Sequence, residues 1–235
     1  MKTTTLYFEK TITSGTSEAP DAKWVTFNFG KCRRRELLEV LCLPGQNQGV
    51  RSTLRGVLNL PPMESTVTAL GLATRNGAMP YIPCPRKYLI AWLRNNSRIR
   101  PNKNDTLAVI GGGDGMNAGL ISLVGGIARV IKIEFDPNLA KESRKIIAVL
   151  GADRFEVRQV DAHRANLLGV TYLFLNFPFD EVEFGRFIKR IDKRYPCVRR
   201  VAAIGYKKRG FVDLGWERVW QCPENKDFQV WLRTN

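Results

Sequence analysis

Apolar and polar positions fall into two regimes along this chain, and they meet near residue 81. Beyond it, Leu107 to Ile110, Arg129 to Phe135, Phe155 to Val160, Tyr172 to Leu175 and Val198 to Ile204 are short runs rich in β-branched and aromatic residues, of strand length. Between them, Ala118 to Val124, Asn138 to Leu150 and Val182 to Arg194 carry helical spacing. Such alternation predicts an α/β domain with a mostly parallel sheet covered on both faces. Two final runs, Trp216 to Gln221 and Asp227 to Arg233, read as a terminal antiparallel hairpin. Ahead of the first strand, Pro85 opens a helix over Arg86 to Arg94 whose Tyr88, Leu89, Trp92 and Leu93 share one face.

Residues 1–80 read differently. Residues 1–22 are rich in Thr, Ser and Gly and suggest an arm with one short strand; Trp24 to Phe29 alternates as a strand; residues 44–85 carry the Gly, Pro and Asn of loops. The expected division is a basic, loop-rich N-terminal extension or small β-containing subdomain over 1–80, and the α/β domain over 81–235.

Charge adds a partner to this picture. Of 235 residues, 37 are Lys or Arg and 22 Asp or Glu, a net +15 that points to a polyanion, most often nucleic acid. Arg33, Arg34 and Arg35 beside Trp24 and Phe29 suit a phosphate grip with base stacking, or equally a solvated helix start. From Gly185 to Gly210 ten basic side chains face one acid, Asp192; Arg186, Lys189, Arg190, Lys207, Lys208 and Arg209 are the candidates there for phosphate contacts. A ribonucleoprotein or other protein partner for the basic extension fits the same composition. Five scattered cysteines without a CxxC pair, and His163 as the lone histidine, predict no structural zinc and a reducing intracellular compartment. No apolar run is long enough to cross a bilayer, so a soluble protein without a membrane partner is expected.

The candidate chemistry begins where the first strand ends. Gly111, Gly112, Gly113, Asp114 and Gly115 form a turn between strand and helix, and Gly113-Asp-Gly-Met-Asn-Ala118 fits a GxGxxA fingerprint. Glu134 lies at the end of the next strand, where an acid accepts hydrogen bonds from ribose hydroxyls; Asp136 competes for that role. Asp161, at the carboxyl edge of the third strand, suits an adenine amino group or a helix cap. These features serve a dinucleotide and S-adenosylmethionine alike.

The fourth strand ends in Asn176-Phe-Pro-Phe179. The order of glycine turn, Glu134, Asp161 and this tetrad resembles the class I S-adenosylmethionine-dependent methyltransferases, whose Asn/Asp-Pro-Pro-Tyr type motif it is similar to. Gly151 to Ala162, followed by Leu173 to Pro178, more closely resembles the ribosomal RNA uridine ring-nitrogen methyltransferases, with His163 in place of their Thr and Phe179 in place of their His. The resemblance implies a Rossmann-like methyltransferase sheet, S-adenosylmethionine as cofactor, and methyl transfer to a base nitrogen of nucleic acid, RNA more than DNA. It further implies that Asn176 orients the target, Pro178 stiffens the turn and Phe179 stacks on the base. Three alternatives stay open: a catalytically inactive methyltransferase-fold RNA-binding or structural component of a ribonucleoprotein or viral assembly, an NAD-dependent oxidoreductase, and an aminopropyltransferase, which the Gly111 to Gly115 turn also resembles.

Overall fold

The computed structural model describes residues 4–8, 23–27, 84, 86–150, 155–206 and 209–234. Near the start, β1 (Thr4–Phe8) and β2 (Lys23–Phe27) pair antiparallel, Thr4 opposite Phe27. The predicted arginine cluster at 33–35 lies outside the described residues.

From α1 (Arg86–Leu93) onward the units alternate as expected: β3 (Thr106–Ile110), α2 (Met116–Gly125), β4 (Arg129–Glu134), α3 (Pro137–Leu150), β5 (Phe155–Gln159), β6 (Tyr172–Asn176), α4 (Glu181–Arg194) and β7 (Arg200–Ile204). A single-turn helix, α5 (Arg209–Val212), then leads to β8 (Trp216–Cys222) and β9 (Asn225–Arg233). The seven strands run in the order β5-β4-β3-β6-β7-β9-β8. The first five are parallel, and β9 enters antiparallel between β7 and β8. This is the α/β, Rossmann-like sheet, mostly parallel with a C-terminal antiparallel hairpin, expected from the sequence.

Two apolar layers hold the sheet. On one face Leu107, Val109, Val130, Tyr172 and Phe174 meet Trp92 of α1 and Ala118 and Ile121 of α2. Trp92 is fully buried, stacks on Phe174 at 5.3 Å, and donates from Nε1 to Ile99 O and Tyr172 Oη. On the other face Ile110, Ile131, Ile133, Leu173 and Leu175 meet Phe184, Phe187, Ile188 and Ile191 of α4 and Phe211 of α5. The five parallel strands need this double cover because crossover helices lie on both faces.

Local chemistry sets the boundaries. The Asp180 side chain caps α4 by accepting from Glu183 N at 2.8 Å, while Glu181 and Glu183 in its first turn and Lys193 and Arg194 in its last complement the helix dipole. β7 starts at Arg200, later than its apolar run, because Val198 N donates to Tyr195 O in a turn. Beneath the sheet Arg200 grips both oxygens of Asp105, at 2.5 and 2.7 Å, and binds the α1–β3 linker to β7. At the sheet's edges β8 carries two register irregularities, and β5 carries Glu156 paired with Arg158 and Arg129.

Candidate active site

Strand order reverses between β3 and β6: the connection from β3 goes by α2 to one face, and that from β6 by α4 to the other. Ligands of open α/β sheets bind at such a switch point, outside the carboxyl ends of the strands. Two predicted motifs meet there. The turn Gly111 to Gly115 leaves β3, with Gly112, Gly113, Asp114 and Gly115 buried, and Asn176 to Phe179 leaves β6. Gly111 has φ 62°, and a Cβ on it would lie 2.7 Å from Pro178 Cβ. Only glycine lets the two loops approach this closely.

Glu134, buried at the end of β4, turns its carboxylate toward its own chain. Oε1 accepts from the N–H groups of Phe135 and Asp136 at 3.0 and 3.1 Å, and Oε2 lies 3.3 Å from Lys132 Nζ. Lys132 is fully buried beneath the glycine turn; its ammonium also donates to Gly113 O and, at 2.6 Å, to Ser143 Oγ of α3. Burial pushes the Lys132 pKa below the ordinary lysine range, outweighing the attraction of Glu134, Asp114 and Asp136. Asp136 has a different occupation from the ribose contact considered for it. Its Oδ1 accepts from Asn138 N and Leu139 N at 2.8 and 2.9 Å, so it caps α3, with Pro137 at the first helical position. Between the two acids, Phe135 presents an exposed ring.

Asp161 stands exposed just past β5 and accepts from His163 N at 2.7 Å; residues 162–164 form a turn and no helix, so the helix cap considered for it is not formed. The His163 ring turns in against Phe179 and Phe187, with Nε2 3.2 Å from Glu183 Oε2.

The Asn176 loop is held from below. Asn176 and Pro178 are buried, and Phe179 is 9% exposed, its ring 5.0 Å from Phe187. Phe179 N donates to Tyr206 Oη at 3.0 Å, and that hydroxyl lies 3.3 Å from Phe179 O. Desolvation raises the Tyr206 pKa, so the phenol keeps its proton as a donor. Phe179, expected to stack on a base, is thus packed into the α4 layer. Phe177 is the half-buried aromatic of the loop; it has φ 48°, and its ring packs over Gly205.

Among the basic candidates, Arg186 and Lys189 are exposed on α4, Arg186 paired with Glu183. Arg190 turns inward, donating to Ala162 O, Ala165 O and Tyr195 Oη. Arg33, Arg34, Arg35, Lys207 and Lys208 lie outside the described residues, as does the side chain of Arg209. Among the described residues no helix is long and apolar enough to cross a membrane.

Three features of the site escape sequence reasoning: Lys132, Phe135 and Phe177. Lys132 did leave a trace, a cation inside the otherwise apolar run Val130 to Ile133, where a buried parallel strand is ordinarily apolar throughout.

No protein-family model matches the sequence, and no curated protein matches it. Solved structures share its fold. The chain is similar to an RNA methyltransferase from Salinibacter ruber in complex with S-adenosyl-L-homocysteine, with TM-score 0.50 and 21% identity over 64% of this chain and 91% of that one. It is similar to a protein of the NADB-Rossmann superfamily from Streptococcus agalactiae, with TM-score 0.52 and 8% identity over 65% and 69% of the two chains. A third similar structure is a variant of MtNAS, with TM-score 0.50 and 19% identity over 86% and 81%. At these identities the likeness is one of fold.

Proposed function

We propose that this chain is an S-adenosylmethionine-dependent methyltransferase acting on a base nitrogen of RNA. The observation that carries the reading is the contact of Gly111 with Pro178, which sets a cofactor-type turn against a target-type loop at the switch point of the sheet. Similarity to a methyltransferase fold crystallised with S-adenosyl-L-homocysteine supports the same assignment.

The donor set fits the cofactor. Around the turn, three carboxylates, Asp114, Glu134 and Asp136, surround the ammonium of Lys132. This local excess of negative charge inside a basic protein favours a sulfonium and opposes the pyrophosphate of a dinucleotide. In this reading Gly111 to Gly115 hold the methionine part, Glu134 takes the ribose, Phe135 lies on the adenine face and Asp161 accepts from the adenine amino group. When bound, S-adenosylmethionine would supply a methyl group on positively charged sulfur: the N–CH₃ bond would form as the S–CH₃ bond breaks, a neutral thioether would leave, and a proton on the target nitrogen would pass to solvent. The chain need only align the acceptor and take up little charge. Asn176 orients the target nitrogen, Phe177 flanks the base, and Phe179 braces the loop from beneath. Asp180 is engaged as the cap of α4, its Oδ1 accepting from Glu183 N, which weighs against its use as the amine-binding acid of an aminopropyltransferase. The exposed cations Arg186, Lys189, Lys193 and Arg194 supply an RNA-facing surface.

Titration calorimetry with S-adenosylmethionine and S-adenosylhomocysteine, followed by transfer of labelled methyl to bulk RNA, tests the proposal. Binding of both ligands with label in RNA base is the expected result, and a folded protein that binds neither removes it. One observation favours the reading without turnover: the Glu134 carboxylate already has three donors. Salt-sensitive RNA binding with no cofactor uptake would identify that case.

A further inference from the structure

Lys132 has no part in the assignment above, yet it occupies the centre of the site. It projects from β4 on the same face as Val130 and Glu134, because side chains of a strand alternate, and so enters the apolar layer directly beneath the glycine turn. No part of it reaches solvent. A long cation in this position is costly unless its donors are met. They are met by three elements: Gly113 O from the turn, Ser143 Oγ from α3, and Glu134 Oε2 from its own strand. The charged groups facing it are Asp114 of the turn, Glu134, and Asp136 at the start of α3.

We propose that Lys132 is a positioning residue of the cofactor site: by holding the Gly113 carbonyl inward and the Glu134 carboxylate in one orientation, it sets the turn and the ribose acceptor before the ligand arrives. This rests on the reading of the turn as an S-adenosylmethionine site. With Gly113 O drawn down onto the ammonium, the turn cannot present that carbonyl to the ligand. Glu134 Oε1 is fixed by the backbone N–H groups of Phe135 and Asp136, and Oε2 is fixed by Lys132, which leaves the outer lone pair of Oε2 for a ribose hydroxyl. Met in place of Lys132 would fill the same space without the donor and leave the carboxylate free to turn.

A structural role and a positioning role give different results. Lys132→Met takes the donor from Gly113 O and Glu134 Oε2, so a lower thermal midpoint is expected in either case. The readout that only a positioning role moves is the pH dependence of ligand affinity. The probe is methylthioadenosine, which carries the ribose and adenine and no group that titrates between neutrality and the ordinary lysine range. Its affinity for the wild-type protein, measured by calorimetry from mildly acidic to alkaline pH, is expected to fall across the range, below the ordinary lysine value, in which Lys132 loses its proton. Lys132→Met is expected to bind about tenfold more weakly than the protein with Lys132 protonated, the worth of one hydrogen bond to a charged group, and without that pH dependence. Equal affinity of the two proteins, or a flat wild-type profile, would overturn the inference and leave the cofactor reading standing. If Lys132→Met does not fold, the wild-type profile decides alone. Failure of the wild-type protein to bind either methylthioadenosine or S-adenosylhomocysteine would remove the cofactor reading and this inference with it.

Discussion

Gly205→Ala is expected to act through Phe177 rather than through its own neighbourhood. A Cβ at residue 205 would lie 1.7 Å from Phe177 Cε1 and 1.9 Å from Cζ, so the ring must leave its seat. Two costs add. The left-handed backbone at φ 86° costs alanine about 1–2 kcal/mol. Loss of packing by a half-buried phenylalanine costs about 1–1.5 kcal/mol, half the value for full burial. The single variant should therefore lose about 2–3.5 kcal/mol, and Phe177→Ala about 1–1.5 kcal/mol. With the ring already gone, only the backbone cost of Gly205→Ala remains. The double variant should then be more stable than the sum of the singles by about 1–1.5 kcal/mol, well outside the usual error of additivity, about 0.5 kcal/mol. Urea denaturation of the four proteins measures this, provided that the slope of the transition stays constant. Additive losses would refute the seating of Phe177 over Gly205. Under the proposed function the Gly205→Ala protein should also lose methyl transfer and keep its affinity for S-adenosylhomocysteine, since the change falls on the target loop.

Three further outcomes are expected. Asp105→Ala leaves Arg200 without its bidentate partner and should cost about 3–5 kcal/mol by denaturant titration, with Asp105→Ala/Arg200→Met less damaging. Lys189→Glu/Lys193→Glu, two exposed changes on α4, should weaken RNA binding and flatten the plot of log affinity against log salt by about 0.7 for each lost phosphate contact to a single strand, with cofactor affinity unchanged. The depressed pKa of Lys132 means that the unfolded chain binds more protons than the folded one between that lowered value and 10.5, so its contribution to stability rises with pH through this window. Burial of Cys84 raises its thiol and works in the opposite direction on the alkaline side; the difference between wild type and Lys132→Met, measured at neutral and mildly alkaline pH, therefore isolates the lysine.

Much of the fold is legible because its signals are local. Leu107 to Ile110 and Tyr172 to Leu175 are uninterrupted apolar runs, as strands buried on both faces must be. Asp180 followed by Phe184, Phe187, Ile188 and Ile191 states both the start and the inner face of α4. The glycine turn is legible for the same reason, since its three left-handed glycines, Gly111, Gly113 and Gly115, are a local requirement. What escapes depends on contacts distant in sequence. Phe179 is drawn inward by Tyr206, 27 residues later, and no pattern around Asn176 announces that partner. Arg190 sits in a run of basic residues that looks uniform, yet its guanidinium is taken up by carbonyls of the β5–β6 connection. The hairpin of β8 and β9 is evident from its two runs; that β9 rather than β8 joins β7 is not, because both strands carry similar alternation.

The insertion of β9 has an effect on how the molecule meets copies of itself. It moves β8 to one border of the seven-stranded sheet and leaves β5 at the other, so within that sheet these two strands are the ones with a neighbour on one side only among the described residues. β8 is bent by two irregularities and exposes Glu217 and Arg218; β5 carries Glu156 and Arg158, already bound in ion pairs. Bulges and charges on a border strand discourage the addition of another strand. Sheet growth is thereby closed at both ends, and crowding of this protein should not promote fibre-like stacking through these borders.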